Sequence, residues 1–291
     1  MEKVIVIIGP TGVGKTKLSV ELAKSLKGEI INGDSTQVYK YLNIGTAKIM
    51  ESEKEGIIHH LFDMVEPSDE YTVFNYQKEG RKKITEIIQK GKIPIIVGGS
   101  GLYLKALLYD YSFEKESQTI SYEMYQLEDL YKKLLEIDPE TTIAKNNRQR
   151  IERALVFYEE HGFPISMQET ASKILYDATF IGLTTNRELL YQRIEKRAEI
   201  MIESGLLGEV KELYKKYPTS KILHSAIGYK ELIEYYQQKL SLEEAISKIK
   251  HNSTTYAKRQ YTWFNNQMEV KWYQVDFSNF NQTIAQIKKD L

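Results

Sequence analysis

The sequence predicts an α/β protein, a P-loop NTPase-like parallel sheet flanked by helices and carrying a small all-helical insertion. Three observations predict it. Apolar, β-branched runs alternate with amphipathic helical stretches over the first third of the chain. A glycine-rich turn joins the first such run to the first helix. Strand signals then stop between about residues 113 and 176 while helical spacing persists. Strand and helix in alternation build a parallel sheet covered on both faces.

Residues 4–8 form a continuous apolar run closed by Gly9-Pro10, the pattern of a buried parallel strand. Leu18, Leu22 and Leu26 share one stripe of the following helix, which ends at Gly28. Residues 29–32 are a second short strand, opening into Gly33-Asp34-Ser35. Ile84, Ile87 and Ile88 mark a helix that stops at Gly91, and residues 93–97 are another buried strand running into Gly98-Gly99-Ser100-Gly101. Beyond residue 113, Leu127, Leu130 and Leu134 mark one helix, Asp138-Pro139 starts the next, and Ile151, Ala154, Leu155 and Tyr158 mark a third. Residues 178–183 return to the sheet; the remainder is mostly helical, with a strand at 270–275. The expected division is 1–112 for the first part of the core, 113–176 for the insertion, and 177–291 for the rest of the core with its C-terminal helices.

Composition narrows the chemistry. The 291 residues contain no Cys, which excludes thiol nucleophiles, Cys-ligated zinc, iron–sulfur clusters and disulfides. Forty Lys+Arg balance forty Asp+Glu, so a polyanion has to be met by a local basic patch. No run approaches the ~18 apolar residues that span a bilayer, and Met1-Glu2-Lys3 leads straight into a strand without the features of a signal peptide. A cytoplasmic protein with no membrane partner is expected. The 21 Tyr are read mainly as core residues rather than base-stacking platforms.

Gly9-Pro10-Thr11-Gly12-Val13-Gly14-Lys15-Thr16 matches G-x-x-x-x-G-K-[ST] at every fixed position, between a buried strand and a helix. Its glycines let backbone N–H groups turn toward an anion, and the helix N-terminus adds partial positive charge. Lys15 can reach terminal phosphate oxygens and the Thr16 hydroxyl can ligate Mg²⁺. Nucleotide hydrolases usually place an acid after a second apolar strand; here residues 93–97 end in Gly98-Gly99.

Asp34 closes the second strand, so it belongs at the carboxyl edge of the sheet, where ligands of such folds bind. Two uses fit it equally: a base that takes a nucleophile's proton, or the cap of an Asx-turn. Ser100 likewise fits a phosphate contact or a helix cap. Arg197 falls among Leu190, Ile194 and Met201 on the apolar side of its helix, so it needs an anionic partner, either a carboxylate or a ligand phosphate. Arg193 lies one turn earlier. In the insertion, Gln149, Arg150 and Arg153 share an arc opposite the apolar stripe, with Lys145 and Arg148 just before. Residues 247–260 carry Lys248, Lys250, Lys258 and Arg259 with no acid among them. Both segments are either solvated faces or phosphate-contacting surfaces, with Gln149 available for a base edge. His59-His60 has no third ligand at metal-binding spacing.

Taken together, these segments resemble the tRNA dimethylallyltransferase (tRNA isopentenyltransferase) family along nearly the whole chain. The likeness rests on the P-loop; on Asp34-Ser35-Thr36-Gln37-Val38-Tyr39 with Ile44-Gly45-Thr46-Ala47-Lys48; and on His59-His60-Leu61. It continues through Gly91-Lys92-Ile93-Pro94, the 97–103 turn, Gln149-Arg150-Ile151-Glu152-Arg153 and Ala226-Ile227-Gly228-Tyr229-Lys230-Glu231. Tyr256-Ala257-Lys258-Arg259-Gln260 and Trp263-Phe264 complete the set.

The resemblance implies transfer of a dimethylallyl group from dimethylallyl diphosphate to N6 of the adenosine 3′ of the anticodon, releasing diphosphate. The P-loop, from Gly9 to Thr16, would then hold the donor's diphosphate, with Mg²⁺ on Thr16. Asp34 would accept the N6 proton, Ser100 would stand where the family generally has Thr, and Lys15 and Arg197 would act on the leaving diphosphate. The anticodon arm would meet Asp34, Ser35, Thr36 and Gln37, the segment Gln149, Arg150, Ile151, Glu152 and Arg153, and the basic pair Lys258 and Arg259. No obligate protein partner is implied. The stretch from about Glu114 to Leu135 is shorter than the family pattern, and the basic tRNA contact of that region has no counterpart here. Two rivals remain: a P-loop small-molecule or nucleotide kinase, which leaves the basic segments unexplained, and a non-catalytic RNA-binding protein, which leaves the phosphate cradle unused.

Overall fold

Among the described residues six strands form one sheet: β1 (Lys3–Ile8), β2 (Gly28–Asn32), β3 (His59–His60), β4 (Ile93–Val97), β5 (Asp177–Thr184) and β6 (Lys271–Gln274). Every pairing is parallel and the order is β3-β2-β4-β1-β5-β6. The structure is a computed structural model describing residues 1–113, 122–167 and 173–291. Central β1 is apolar at every position after Lys3 because both its faces are covered: Ile5 and Ile7 enter one core cluster, Val4, Val6 and Ile8 the other. The two-residue β3 was not expected. It is too short and too polar to show an apolar run, and it exists because Ile30 and Ile31 pair with His59 and His60.

The helices, in chain order, are α1 (Lys15–Leu26), α2 (Glu51–Lys54), α3 (Val73–Gln89), α4 (Gly101–Leu108), α5 (Leu127–Ile137), α6 (Arg148–His161), α7 (Arg187–Glu203), α8 (Leu206–Lys216), α9 (Lys221–Ser225), α10 (Tyr229–Tyr236), α11 (Leu242–Gln267) and α12 (Phe280–Asp290). Local chemistry sets several starts: Thr72 caps α3 through the Asn75 amide, and Ser241 and Glu244 form a capping box on α11. Among the described residues no helix is long and apolar enough to cross a membrane.

The chain divides into two compact units, one of Met1–Asp110 with Lys173–Leu291 and one of Tyr111–Ser172. The first unit has three cores. Two sandwich the sheet, and the third joins Val38, Tyr39 and Leu42 to α8, α10 and the start of α11. The second unit has its own core of Tyr122, Leu130, Leu134, Ile151, Ala154 and Leu155. In α6 the buried stripe is completed by Phe157, 3% exposed, rather than by Tyr158. Phe157 stacks on His161 at 4.3 Å and meets the edge of Phe163. The shortened stretch noted in the sequence lies outside the described residues over 114–121.

Candidate active site

A cavity of about 750 Å³ opens in the first unit where β1, β2 and β4 end. Thr11, Gly12, Gly14, Lys15 and Thr16 line it from the P-loop. Gly14 sits at φ +94° as the N-cap of α1 and supplies no side-chain cap, so the first amides of α1 are left for an anion. A Cβ on Gly14 would stand 2.7 Å from the Phe280 ring, which packs against the turn. The Val13 side chain is fully buried in a sheet core, which leaves its backbone to face the turn. Gly9 and Pro10 act through their carbonyls, which accept hydrogen bonds from Lys15 Nζ at 2.9 and 2.7 Å. Burial, reinforced by repulsion from Arg197 and opposed by Asp34, pushes the Lys15 ammonium down to about 7.

Asp34 lines the same cavity. Its Oδ1 accepts from the Thr36 amide at 2.9 Å and the Thr36 hydroxyl at 2.7 Å, which is an Asx-turn. Its charge nevertheless reaches Lys15 and Arg197, so the turn presents the carboxylate to the cradle as well as shaping the loop. Ser100 stands at the N-cap of α4 but makes no capping bond. Instead its Oγ accepts from the Ser35 amide at 3.0 Å and lies 3.2 Å from Ser35 Oγ, and Ser35, not Ser100, is among the residues lining the cavity. The Tyr256 hydroxyl reaches Ser100 and Gln260; burial, with Asp34's charge adding to it, pushes that phenol up to about 12. Gln260 in turn donates to the Gly99 carbonyl at 2.9 Å. Tyr256 and Gln260 both line the cavity. Neither was singled out from the sequence, although both lie in its quoted Tyr256–Gln260 motif.

Arg197 lines the cavity and has no ion-pair partner within 4.0 Å among the described residues. Burial disfavours its charge, while Asp34 and Glu53 favour it. Arg193 is fastened differently: its Nε donates to the Gly12 carbonyl at 3.0 Å and its guanidinium lies 3.6 Å from the centre of the Phe277 ring.

Another stretch of wall comes from the third core. Glu209 accepts from the amides of Asn43, Ile44 and Gly45 at 2.9–3.2 Å and from the Tyr229 hydroxyl at 2.6 Å. A Cβ on Gly45 would come within 2.5 Å of the Tyr229 ring, so this approach requires glycine. Gln37 bonds the Thr46 carbonyl at 2.9 Å, connecting the Asp34 loop to that wall.

The basic residues separate into free and committed. Lys248 and Lys250 pair with Glu234 and Glu199 at 3.0 and 2.8 Å, so they add little open charge. Arg259 lines the cavity, and Lys258 lies over the Tyr191 ring at 5.2 Å. In the second unit Gln149, Arg150 and Arg153 are exposed. Two members of that segment serve other ends, against expectation: Ile151 is fully buried in the core, and Glu152 pairs with Arg148 at 2.7 Å.

A profile of the family described as IPP transferase matches residues 37–267. The chain belongs to the IPP transferase family. A tRNA dimethylallyltransferase of Bacillus mycoides is 48% identical over 286 residues, covering 94% of this chain and 90% of that protein. The crystal structure of a tRNA isopentenylpyrophosphate transferase from Bacillus halodurans is 40% identical, with a TM-score of 0.78 over 100% of this chain and 95% of that one. A eukaryotic dimethylallyltransferase acting on tRNA is 32% identical, with a TM-score of 0.84 over 99% of this chain and 78% of that one. IPP transferases are prenyl-transferring enzymes that modify tRNA, so the kinase and the non-catalytic readings are set aside.

Proposed function

We propose that the protein transfers the dimethylallyl group of dimethylallyl diphosphate to N6 of the adenosine 3′ of the anticodon in tRNA. The observation that carries this reading is the presence of Asp34, Lys15 and Arg197 in one cavity: a proton acceptor beside two basic side chains that, among the described residues, have no carboxylate within salt-bridge distance. In the reaction the allylic C–O bond breaks, N6 bonds to that carbon, and the N6 proton passes to Asp34. Negative charge grows on the leaving oxygen, where the P-loop amides, Lys15 and Arg197 stabilise it. Lys15 would exchange the Gly9 and Pro10 carbonyls for phosphate oxygens as the donor enters.

Mg²⁺ fits this arrangement. Among the described residues no cluster of three or more His, Asp or Glu could hold a metal, but Thr16 offers one hydroxyl at the cradle. A hard ion that keeps waters and binds substrate phosphates needs little more from protein. When bound, Mg²⁺ would supply further positive charge to the diphosphate. Ser100 and Tyr256 would hold the Asp34 loop in register. The target adenine must leave its stack, at a cost of a few kcal/mol, which favours a loop base. Arg259 and Lys258 in the first unit, and Gln149, Arg150 and Arg153 in the second, would contact the anticodon arm. Such a reaction belongs in the cytoplasm.

Mass spectrometry of tRNA nucleosides after incubation with dimethylallyl diphosphate and Mg²⁺ tests the reading. The expected product is N6-dimethylallyladenosine at the position 3′ of the anticodon; turnover of nucleoside triphosphate without that product overturns it.

A further inference from the structure

Glu231 is a buried carboxylate, 2% exposed, that the reaction above does not use. One oxygen caps the Gly228 amide at 2.8 Å, and the other accepts from Asn252 Nδ2 at 2.6 Å. Lys230 Nζ lies 3.8 Å from the same Oε1. Both Asn252 and Lys230 line the cavity. Because Glu231 can only accept, it fixes the orientation of the Asn252 amide: the nitrogen is committed, and the carbonyl oxygen is the atom left for a ligand. No hydrogen bond to that oxygen is made among the described residues. The wall therefore offers a fixed acceptor next to a cation.

That pair suits neither part of the prenyl donor. Diphosphate oxygens are acceptors and would face the Asn252 oxygen with lone pairs on both sides, and a five-carbon hydrocarbon has nothing to donate. What fits is a ligand carrying a hydroxyl or amine donor beside negative charge. A ribonucleotide has both, in its 2′-hydroxyl and its phosphate. The adenine's own donor, the N6 amine, is already assigned to Asp34.

We propose that Glu231, Asn252 and Lys230 form a ribose–phosphate subsite for the acceptor nucleotide. Asn252 Oδ1 accepts the 2′-hydroxyl, Lys230 meets the adjoining phosphate, and Glu231 is the positioning residue that orients both. The subsite makes the enzyme select RNA over DNA at the target itself. This inference rests on the acceptor being a tRNA adenosine.

The test uses two synthetic anticodon-arm stem–loops, identical except for adenosine or 2′-deoxyadenosine at the acceptor position, with dimethylallyl diphosphate as donor. The wild-type enzyme is expected to prefer the ribo substrate by about tenfold in kcat/KM, the value of one hydrogen bond. Asn252→Ala should lose that factor on the ribo substrate and nothing on the deoxy one, with the KM for the donor unchanged. Glu231→Gln can donate to the Asn252 oxygen and so turn its amide over; it should also erase the preference, with thermal unfolding confirming that it folds. Lys230→Gln should slow both substrates and flatten the salt dependence by roughly one phosphate contact. A wild type indifferent to the 2′-hydroxyl overturns the subsite, as does an Asn252→Ala enzyme equally impaired on both substrates. Failure of the wild type to prenylate either stem–loop would instead overturn the proposed reaction.

Discussion

The Ser35 amide donates a 3.0 Å hydrogen bond to Ser100 Oγ, tying the loop after β2 to the loop after β4. Asp34, the residue just before Ser35, is thereby held from outside its own loop as well as by Thr36 within it. Asp34→Asn keeps an oxygen for the Thr36 contacts but loses the charge and the proton acceptor. Single-turnover prenylation should fall at least about a hundredfold, the range for loss of a general base, while tRNA affinity by filter binding changes less than about twofold. Comparable losses in both would remove Asp34 from the chemistry. Ser100→Ala, which frees the loop without removing the base, should lower kcat by about tenfold and leave the donor KM unchanged.

Lys15 gives a pH-linked prediction. Burial and Arg197 hold its pKa at about 7 without ligand, so at pH 8 most molecules carry it neutral. A bound diphosphate favours the charged form and raises that pKa. Donor binding at pH 8 should therefore take up close to one proton per site, and uptake should shrink as pH falls below 7, where Lys15 is already charged. Calorimetry in buffers of different ionisation enthalpy measures it directly, and Lys15→Met should abolish the uptake.

Salt dependence separates the basic residues. Arg150→Ala, Arg153→Ala and Lys258→Ala should each weaken tRNA binding and reduce the slope of log affinity against log salt by roughly one. Lys248→Ala should leave the slope nearly unchanged, because Glu234 already occupies that ammonium at 3.0 Å. Equal slopes for Lys258→Ala and Lys248→Ala would take Lys258 out of the interface.

Glu29 carries a stability prediction away from the site. It is 1% exposed and is met by Lys92 at 2.8 Å, His60 at 2.6 Å and Lys90 at 3.3 Å. Burial alone would raise its pKa, but these partners bring it down to about 2. The stabilisation is then fully present above the ordinary carboxylate value of about 4.5 and lost as pH falls toward 2. Glu29→Gln should cost about 3 kcal/mol at neutral pH. Its deficit in thermal midpoint against the wild type should close as the solution is acidified through that window.

Much of the site was legible because it sits in contiguous motifs at predictable sheet edges. Five P-loop residues, Asp34 and Arg197 line one cavity, and the inward placement of Arg197 among apolar neighbours signalled an anionic partner, carboxylate or phosphate. Ile151 entered the tRNA-contacting set only with the family motif; the helical stripe had already turned it inward, and its side chain is buried in the second unit's core. Tyr256, Glu209 and Asn252 were missed. Their meaning lies in partners far along the chain: Glu209 binds amides 164–166 residues away. The Ile44–Lys48 and Ala226–Glu231 motifs were visible, but nothing in either shows that Gly45 packs on Tyr229. The short β3 escaped because its pairing is set by β2 rather than by its own residues.

The aromatic props behind the anion turn reach beyond the finished molecule. Phe280 backs Gly14, and Phe277 underlies the arginine that grips the Gly12 carbonyl. A nascent polypeptide on the ribosome has made its glycine-rich turn long before either ring exists. The two rings that pack against that turn and its arginine arrive only when translation has supplied residues 277–280.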